Sequence, residues 1–321
     1  MNRYRLVHVT EFRYDGPVSE SYNEVRLRPM DDDRQSCLSF RLTTFPATRN
    51  ASYRDFFGNS VHSFNLLAEH RHLKVEAESA VLVHQLPASP PDETTLAEID
   101  SHREELHEEY FDFLAPTNYV PRLSALSDFS AEAERTSAGT VEGFAQAASS
   151  LIHGRFQYQK GATNAYSSIK DSLARGAGVC QDFAHLLLGV LRSRGVPARY
   201  VSGYIIPKSV SDDPMNLEQV IGGQASHAWV EACLPLAGWT GFDPTLGAPV
   251  GSRHVRIAYG RDYGDVAPVR GVYKGHAGQH LFVDVAVRPT LDSEGHEQLI
   301  ETSARRVEPV VLERAQQPAQ Q

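Results

Sequence analysis

Alternating apolar and polar positions dominate the first ninety residues of the chain. In LKVEAE (73–78) an apolar side chain at every second position alternates with a charged one, and a similar alternation runs through 38–42. This period of two predicts strands with one buried face. Turn residues such as Gly58-Asn59 separate these strands, and several short strands joined by turns indicate a sandwich or a barrel. We therefore predict an N-terminal antiparallel β-sandwich-like domain over residues 1–90.

A proline-rich stretch ends this strand pattern. Proline can neither donate to a strand ladder nor continue a helix, and PASPPDE (87–93) interrupts the alternation. An acidic segment from Leu96 to Phe113 follows, and its spacing predicts helix. We interpret residues 91–135 as a helical connector between two domains.

Apolar residues spaced three and four apart begin near residue 140. From Val141 to Ile152 they form one stripe, which predicts a helix that Thr140 caps. A second helix begins at Cys180 and is apolar on nearly all sides, so we expect it to be buried. Gly195 is the candidate for its C-terminal cap.

Four further runs after the second helix predict strands, at 198–206, 226–234, 238–243 and 280–289. We predict an α+β fold whose second domain covers residues 136–292, with the last strand closing its sheet. The polar stretch 207–225 is long enough to form a lid. Residues 293–321 are predicted to be a C-terminal extension that is partly disordered.

Charge and composition narrow the possible partners. The 321 residues carry a net charge of −9, whereas nucleic-acid binding needs a basic surface, so we predict no nucleic-acid partner. The longest apolar run, LLLGVL (186–191), is too short to cross a bilayer, and the first residues lack the apolar core of a secretory signal. Three cysteines cannot form a disulfide framework. We therefore expect no membrane partner, reduced thiols and a cytoplasmic location.

One of these cysteines lies at the predicted start of a helix, a position that favours a reactive thiolate. Cys180 follows GAGV and opens the apolar helix. The free amides and the positive dipole end of a helix favour a thiolate over a thiol, and the Cys180 amide is placed to donate to an oxyanion. Taken alone, a buried structural thiol is the better interpretation, since cysteine often serves as a small apolar core residue. We interpret Cys37 and Cys233 in that way.

A thiolate nucleophile needs a base, and the base needs a group that orients it. SHAWVEACL supplies His227 near the start of a strand, and GWTGFD ends the next strand with Asp243. A symmetrical hairpin through PLAG would pair Leu234 with Trp239. That register leaves Asp243 and His227 offset by about three residues, on the order of 10 Å along the strand. A bulge or a strong twist would be needed to bring the two side chains together.

The motifs GVCQDFA, PARYVSGY, HAWVE and GWTGFDPT follow one another in an order and spacing that resemble the transglutaminase-like superfamily. The β-rich start and GRDYGDVAPVRGVYKG (260–275) are similar to the segments that flank the core in bacterial members. The resemblance implies a papain-like catalytic core in which Cys180 attacks an acyl carbon, His227 transfers the proton and Asp243 orients His227. It also implies a peptide or protein substrate and a functional association with ATP-grasp peptide ligases.

Further candidates flank these three residues. Tyr158 and Gln159 are candidates for a second oxyanion donor. Gln181 follows the cysteine directly, and Trp229 shares the predicted face of His227, where it would line the pocket or pack in the core. The histidines lack the HExxH spacing, and no glycine-rich phosphate loop follows a strand, so we predict neither a metal nor a cofactor.

Three classes of function remain open at this point. The first is a cysteine hydrolase that cleaves peptide or isopeptide bonds through a thioester, with water as the acceptor. The second is an acyltransferase, either a protein-glutamine gamma-glutamyltransferase or an arylamine acetyltransferase, although no basic site for coenzyme A lies near the motifs. The third is a non-catalytic binding module, which would usually have lost one of the three residues. We favour the hydrolase, because bacterial members with this architecture resemble hydrolases.

Overall fold

A computed structural model describes residues 2–84, 91–206, 226–290 and 310–311. The strands are β1 (Asn2–Val25), β2 (Gln35–Phe45), β3 (Asn50–Arg54), β4 (Ser60–Leu66), β5 (His70–Val83), β6 (Gln157–Tyr158), β7 (Ala177–Gly178), β8 (Ala198–Ile205), β9 (Ser226–Leu234), β10 (Gly238–Asp243), β11 (Ala248–Pro249), β12 (His254–Gly260), β13 (Val269–Lys274), β14 (Gln279–Pro289) and β15 (Val310–Val311). The helices are α1 (Leu96–Ser101), α2 (Arg103–Glu109), α3 (Phe111–Leu114), α4 (Ala125–Thr136), α5 (Val141–Arg155), α6 (Ile169–Arg175), α7 (Cys180–Ser193) and α8 (Tyr263–Val266). The described residues divide into two units, one of residues up to Val83 and from Pro268 onward, the other of His84–Ala267.

The first unit is built around the long strand β1. The first half of β1 pairs with β5 and β14, and its second half pairs with β4 and β13, always antiparallel. The pairing with β5 shifts register between Arg13 and Val18, and side chains from both halves share one apolar cluster. The buried members of that cluster are Tyr14, Val18, Val25, Leu27, Phe64, Leu73, Val75 and Ala77. The predicted antiparallel β domain is confirmed, and it takes the form of one curled eight-stranded sheet.

The last predicted strand belongs to this first unit. We expected 280–289 to close the sheet of the second domain, but β14 pairs with β1 from Tyr4↔Pro289 to Tyr14↔Gln279. That expectation is wrong, because alternation identifies a strand without identifying the strand it pairs with. Of the predicted C-terminal extension only β15 is described, and it pairs with β14. The predicted lid at 207–225 lies outside the described residues.

The second unit packs helices on an antiparallel sheet. Its five strands run in the order β11-β10-β9-β8-β12. The predicted helix α7 packs against β8 and β9, and also against α4 and α5. All residues of α7 from Asp182 to Leu191 are buried, as the apolar pattern predicts. The predicted α+β fold is therefore confirmed, and residues 91–135, which we interpreted as a connector, lie within this unit.

Two helix boundaries follow their local signals. Thr140 accepts a hydrogen bond from the Gly143 amide at 3.1 Å and caps α5, as predicted. Gly195, with φ of +88°, directly follows the last cap residue of α7, which a glycine tolerates without a steric penalty. None of the helices in the described part of the chain combines the length and the hydrophobicity that a membrane crossing requires.

Candidate active site

Cys180 is the first residue of the 14-residue helix α7, and it is half-buried. The start of this helix is held by Asp182, which accepts hydrogen bonds from the Val179 amide and the Ser172 hydroxyl, both at 2.8 Å. A Cβ on Gly178 would lie 2.6 Å from the Asp182 Cβ, so this glycine is needed for the close approach of that side chain. The cysteine thus sits rigidly at the positive end of a buried helix.

His227 and Asp243 come from neighbouring strands of the sheet. His227 Nε2 donates to Asp243 Oδ2 at 2.7 Å, and both side chains are fully buried. The hairpin register differs by one residue from the prediction, since Leu234 pairs with Gly238 rather than with Trp239. The loop has three residues, and Asp92 Oδ2 accepts the amides of two of them at 3.0 Å.

This one-residue correction decides where Asp243 points. Phe242 pairs with Val230, so the next residue, Asp243, lies opposite Trp229 and two residues along the sheet from His227. Residues directly opposite one another share a face of the sheet, and a slip of one residue moves a side chain to the other face. In the predicted register Asp243 would have lain opposite Val230, away from His227. The observed register brings the two side chains together without a bulge.

Four donors hold the Asp243 carboxylate. Oδ1 accepts from the amides of Thr245 at 2.9 Å and Leu246 at 3.2 Å, while Oδ2 accepts from His227 and from His254 Nε2 at 3.0 Å. Burial alone would raise the pKa of Asp243, but the two imidazoles outweigh burial and hold its pKa well below the usual range. Asp243 is therefore ionised.

The environment of His227 favours its charged form. Burial alone would lower the pKa of His227, but the charge and hydrogen bond of Asp243, together with the Cys180 side chain, outweigh burial and raise its pKa. Its second ring nitrogen, Nδ1, is buried and bonds to no described nitrogen or oxygen atom. The ring thus binds the carboxylate through one nitrogen, leaves the other for proton transfer, and interacts with the thiol.

Comparisons with known proteins identify the family. Residues 4–82 match the bacterial transglutaminase-like N-terminal region, and residues 129–244 match the transglutaminase-like superfamily. An uncharacterised protein of Mycobacterium leprae is 36% identical over 293 residues, which cover 89% of this chain and 99% of that protein. The chain belongs to the transglutaminase-like superfamily.

Other matches agree with this assignment. A Mycobacterium tuberculosis protein, also uncharacterised, is 33% identical over 316 residues, which cover 89% of this chain and 92% of that protein. A Pseudomonas aeruginosa protein-glutamine gamma-glutamyltransferase is 36% identical over 69 residues, covering 22% of this chain and 10% of the enzyme. A crystal structure of a Cytophaga hutchinsonii protein, proposed there to be a cysteine protease, shares the fold. Its TM-score is 0.69 at 21% identity, with 94% of each chain covered.

Three tyrosines interact electrostatically with Cys180. Burial is the largest cause that raises the pKa of Tyr158 and Tyr200, and the negative charge of Cys180 is the second. Burial, neighbouring tyrosines and Cys180 together raise the pKa of Tyr263 to about 12. All three hydroxyls therefore keep their protons at neutral pH and are available as donors. Of the three, only Tyr158 is a predicted candidate.

The remaining predicted candidates lie in different settings. Gln159 is exposed, and its backbone amide donates a hydrogen bond to the Gly178 carbonyl at 2.8 Å. This bond links the end of β6 to the segment that precedes Cys180. Gln181 is half-buried, and its Nε2 is 3.4 Å from the Ala165 carbonyl. Trp229 is only 1% exposed, so it packs in the core beside His227 rather than forming an open pocket wall.

His227, Asp243 and His254 also form a set whose donor atoms lie within 4.8 Å of one another, as in a metal site. The contacts of Asp243 Oδ2 with the two imidazoles are 2.7 and 3.0 Å, which are hydrogen-bond lengths. Ligands about 2.0–2.2 Å from a tetrahedral zinc ion stand roughly 3.3–3.5 Å apart. The distances therefore fit a hydrogen-bonded network rather than a ligand set.

The sequence interpretation missed His254, Tyr200 and Tyr263. His254 opens β12 and alternates with the buried Val255 and Ile257, which would have placed it on the polar-lined face of the sheet. The two tyrosines lie within motifs that carry the family resemblance, but no spacing rule points them at Cys180. Only the folded arrangement brings them there.

Proposed function

We propose that the protein is a cysteine acyl-transfer enzyme that hydrolyses peptide or isopeptide bonds. The observation that carries this proposal is the buried 2.7 Å hydrogen bond between His227 and Asp243 beside a cysteine that opens a helix. A charged imidazole next to a thiol stabilises the thiolate. Membership of a superfamily that includes acyltransferases and cysteine proteases supports the same reaction class.

The reaction has two halves. The Cys180 thiolate attacks the carbonyl carbon of the amide, and the electron pair of the carbonyl moves to its oxygen. The oxyanion collapses, the C–N bond breaks, and the leaving nitrogen takes a proton from His227, which leaves a thioester. His227, now neutral, takes a proton from water as the water attacks the thioester, and the carboxylic acid and the thiolate are released. Asp243 keeps the ring oriented throughout.

We infer that the oxyanion is bound by the Cys180 amide and the Tyr158 hydroxyl. Strand β6, which ends at Tyr158, pairs in parallel with β7, and only Val179 separates β7 from the nucleophile. Tyr158→Phe tests this role, since loss of one oxyanion donor lowers kcat by roughly 10² to 10³. Because a ground-state carbonyl uses the donor less, we expect KM to change little.

The acceptor is tested by product analysis. Purified protein is incubated with glutamine-containing peptides and with γ-glutamyl-ε-lysine isopeptides, with and without a fluorescent primary amine. Hydrolysis releases ammonia or new amino groups without labelling the peptide. Incorporation of the amine would instead support the gamma-glutamyltransferase, which the match to the Pseudomonas enzyme favours. Cys180→Ala should abolish either reaction, and Cys37→Ala, at the half-buried thiol of the first unit, is the matched control.

A second measurement needs no substrate. We expect iodoacetamide to modify Cys180 faster than Cys37 and Cys233, and His227→Ala to remove this advantage, as read by peptide mass spectrometry. A non-catalytic binding module would show the same Cys180 alkylation rate in wild type and in His227→Ala, and that result would refute the proposal.

The predicted cytoplasmic location and the predicted association with ATP-grasp ligases stay predictions. Short peptides and isopeptides are the substrates that this association favours.

A further inference from the structure

His254 is a buried imidazole that the reaction scheme above does not use. Its side chain is 4% exposed, and its Nε2 lies 3.0 Å from Asp243 Oδ2, the same oxygen that binds His227. Two imidazoles from different strands, β9 and β12, therefore converge on one carboxylate oxygen.

The surroundings of His254 fix which nitrogen carries its proton. The Gly251 amide lies 3.2 Å from His254 Nδ1. A backbone N–H can only donate, so Nδ1 must present a lone pair, and the ring proton lies on Nε2. Nε2–H then donates to Asp243, which can only accept. His254 is thus a neutral donor, whereas His227 favours its charged form.

The packing leaves this second imidazole little freedom. The Trp229 indole meets the His254 ring edge-on, with centroids 5.1 Å apart and planes at 77°, and lies 6.3 Å from the His227 ring. Gly203 of β8 makes this arrangement fit, because a Cβ there would lie 2.4 Å from the indole and 2.2 Å from the Val255 carbonyl. The centroids of the two imidazole rings lie 6.1 Å apart, and the indole packs beside both rings, which limits their movement.

We propose that His254 is a positioning residue, a neutral imidazole that holds Asp243 in the orientation in which its Oδ2 meets His227. The proposal rests on the proposed function, since the orientation of His227 matters only if the ring transfers a proton. The two amides on Oδ1 fix one end of the carboxylate, and His254 supplies the second donor on the other end. Without it, the hydrogen bond to His227 alone must orient Oδ2.

Two variants separate this role from simple packing. His254→Phe keeps the ring that packs on Trp229 but removes the donor, whereas His254→Gln keeps an N–H donor near the position of Nε2. We expect the alkylation rate of Cys180, divided by that of Cys37, to fall about tenfold in His254→Phe and to stay within about twofold of wild type in His254→Gln. Loss of packing alone would lower the ratio more in His254→Gln, which loses the ring, than in His254→Phe. A ratio unchanged in a folded His254→Phe protein would overturn the proposal.

A second measurement keeps this proposal separate from the proposed function. In a Cys180→Ser background, which cannot form a thioester, ¹⁵N NMR of the ring nitrogens reports on His227 directly. We expect His254→Phe to move the His227 ring signals and His254→Gln to restore them, even if the protein proves to be no enzyme. If His254→Phe does not fold, the ¹⁵N spectrum of the Cys180→Ser protein with His254 in place provides the test. A charged His254, or a His254 ring with its proton on Nδ1, at pH 7.5 would refute the proposal.

Discussion

Two buried carboxylates on adjacent strands of the second unit, Asp243 and Glu231, are each held by two basic side chains. Asp243 binds His227 and His254 at 2.7 and 3.0 Å. Glu231 binds Arg199 and Arg256, both at 2.7 Å. The two acids are 0% and 1% exposed, so burial does not distinguish them.

The difference lies in the partners. A guanidinium stays charged throughout the physiological range and cannot exchange a proton there, whereas an imidazole can. The Arg199 guanidinium is further fixed between the rings of Trp239, at 4.2 Å, and Tyr259, at 3.7 Å. The Glu231 cluster can therefore only hold the sheet together, while the Asp243 cluster can move a proton. A buried, paired carboxylate becomes a candidate for catalysis only when its partner titrates and a nucleophile lies beside it.

The sharpest test of this comparison replaces each acid by its amide. Asp243→Asn removes the charge that stabilises the His227 imidazolium and presents an amide that can donate, which favours the wrong ring tautomer. We expect the acyl-transfer rate to fall by about 10³, or roughly 4 kcal/mol in activation free energy. Glu231→Gln is the matched control, and its rate should stay within about threefold of wild type. Equal losses in the two variants would remove the distinction between the clusters.

The Glu231 cluster should instead dominate stability. Glu231→Ala leaves two largely buried guanidiniums without their acid, and breaking a buried pair in this way costs about 3–5 kcal/mol. Unfolding by urea, followed by tryptophan fluorescence, measures the loss selectively, since both tryptophans lie in the second unit. A loss below about 1 kcal/mol would show that the sheet does not depend on this cluster. We expect the Cys180 alkylation rate of the remaining folded protein to be unchanged.

The sequence alone predicts a good part of this site, because its local signals are strong. The helix that starts at Cys180 has a long apolar stripe and a glycine stop, and the strands of His227 and Asp243 show clear alternation and turns. The order of the motifs then identifies the family. All of these features depend on residues that are close together in the chain.

The parts that the sequence does not predict depend on distant residues. The hairpin register is one residue different because Asp92, more than 140 positions earlier, binds the loop amides at Leu236 and Ala237. His254 reaches Asp243 only because the packing of three strands leaves space beside Gly203. The pairing of β14 with β1 joins the two ends of the chain, and alternation contains no information about such a partner.

A difference in pH dependence should separate the two clusters more finely. The folded pKa of His227 lies above its unfolded value of about 6.5, so its contribution to stability is complete below pH 6.5 and is lost as pH rises through the folded pKa. For Asp243, whose folded pKa is lowered, the contribution is complete above about pH 4 and is lost on acidification. The stabilisation by the pair is thus greatest between about pH 4 and 6.5.

We therefore expect the difference in unfolding free energy between wild type and His227→Gln to shrink by on the order of 1 kcal/mol for each pH unit as pH rises from 6.5 towards 9.5. The difference between wild type and Glu231→Gln should stay constant over the same range, because guanidiniums keep their protons. Parallel pH profiles for the two variants would contradict the assignment of a titrating partner to Asp243 alone. Urea unfolding at five or six pH values measures both differences.

The smallest expected effect comes from the stacked guanidinium. Arg199→Lys keeps the positive charge beside Glu231 but loses the flat group between Trp239 and Tyr259 and the forked hydrogen bonds to the acid. We expect a loss of about 1 kcal/mol in unfolding free energy and no change in Cys180 alkylation. Arg256→Lys is the matched control, since that side chain binds the other oxygen of the same acid. A fall in alkylation rate in Arg199→Lys would show that the Glu231 cluster acts on the nucleophile, and the two buried carboxylates would then work as one system.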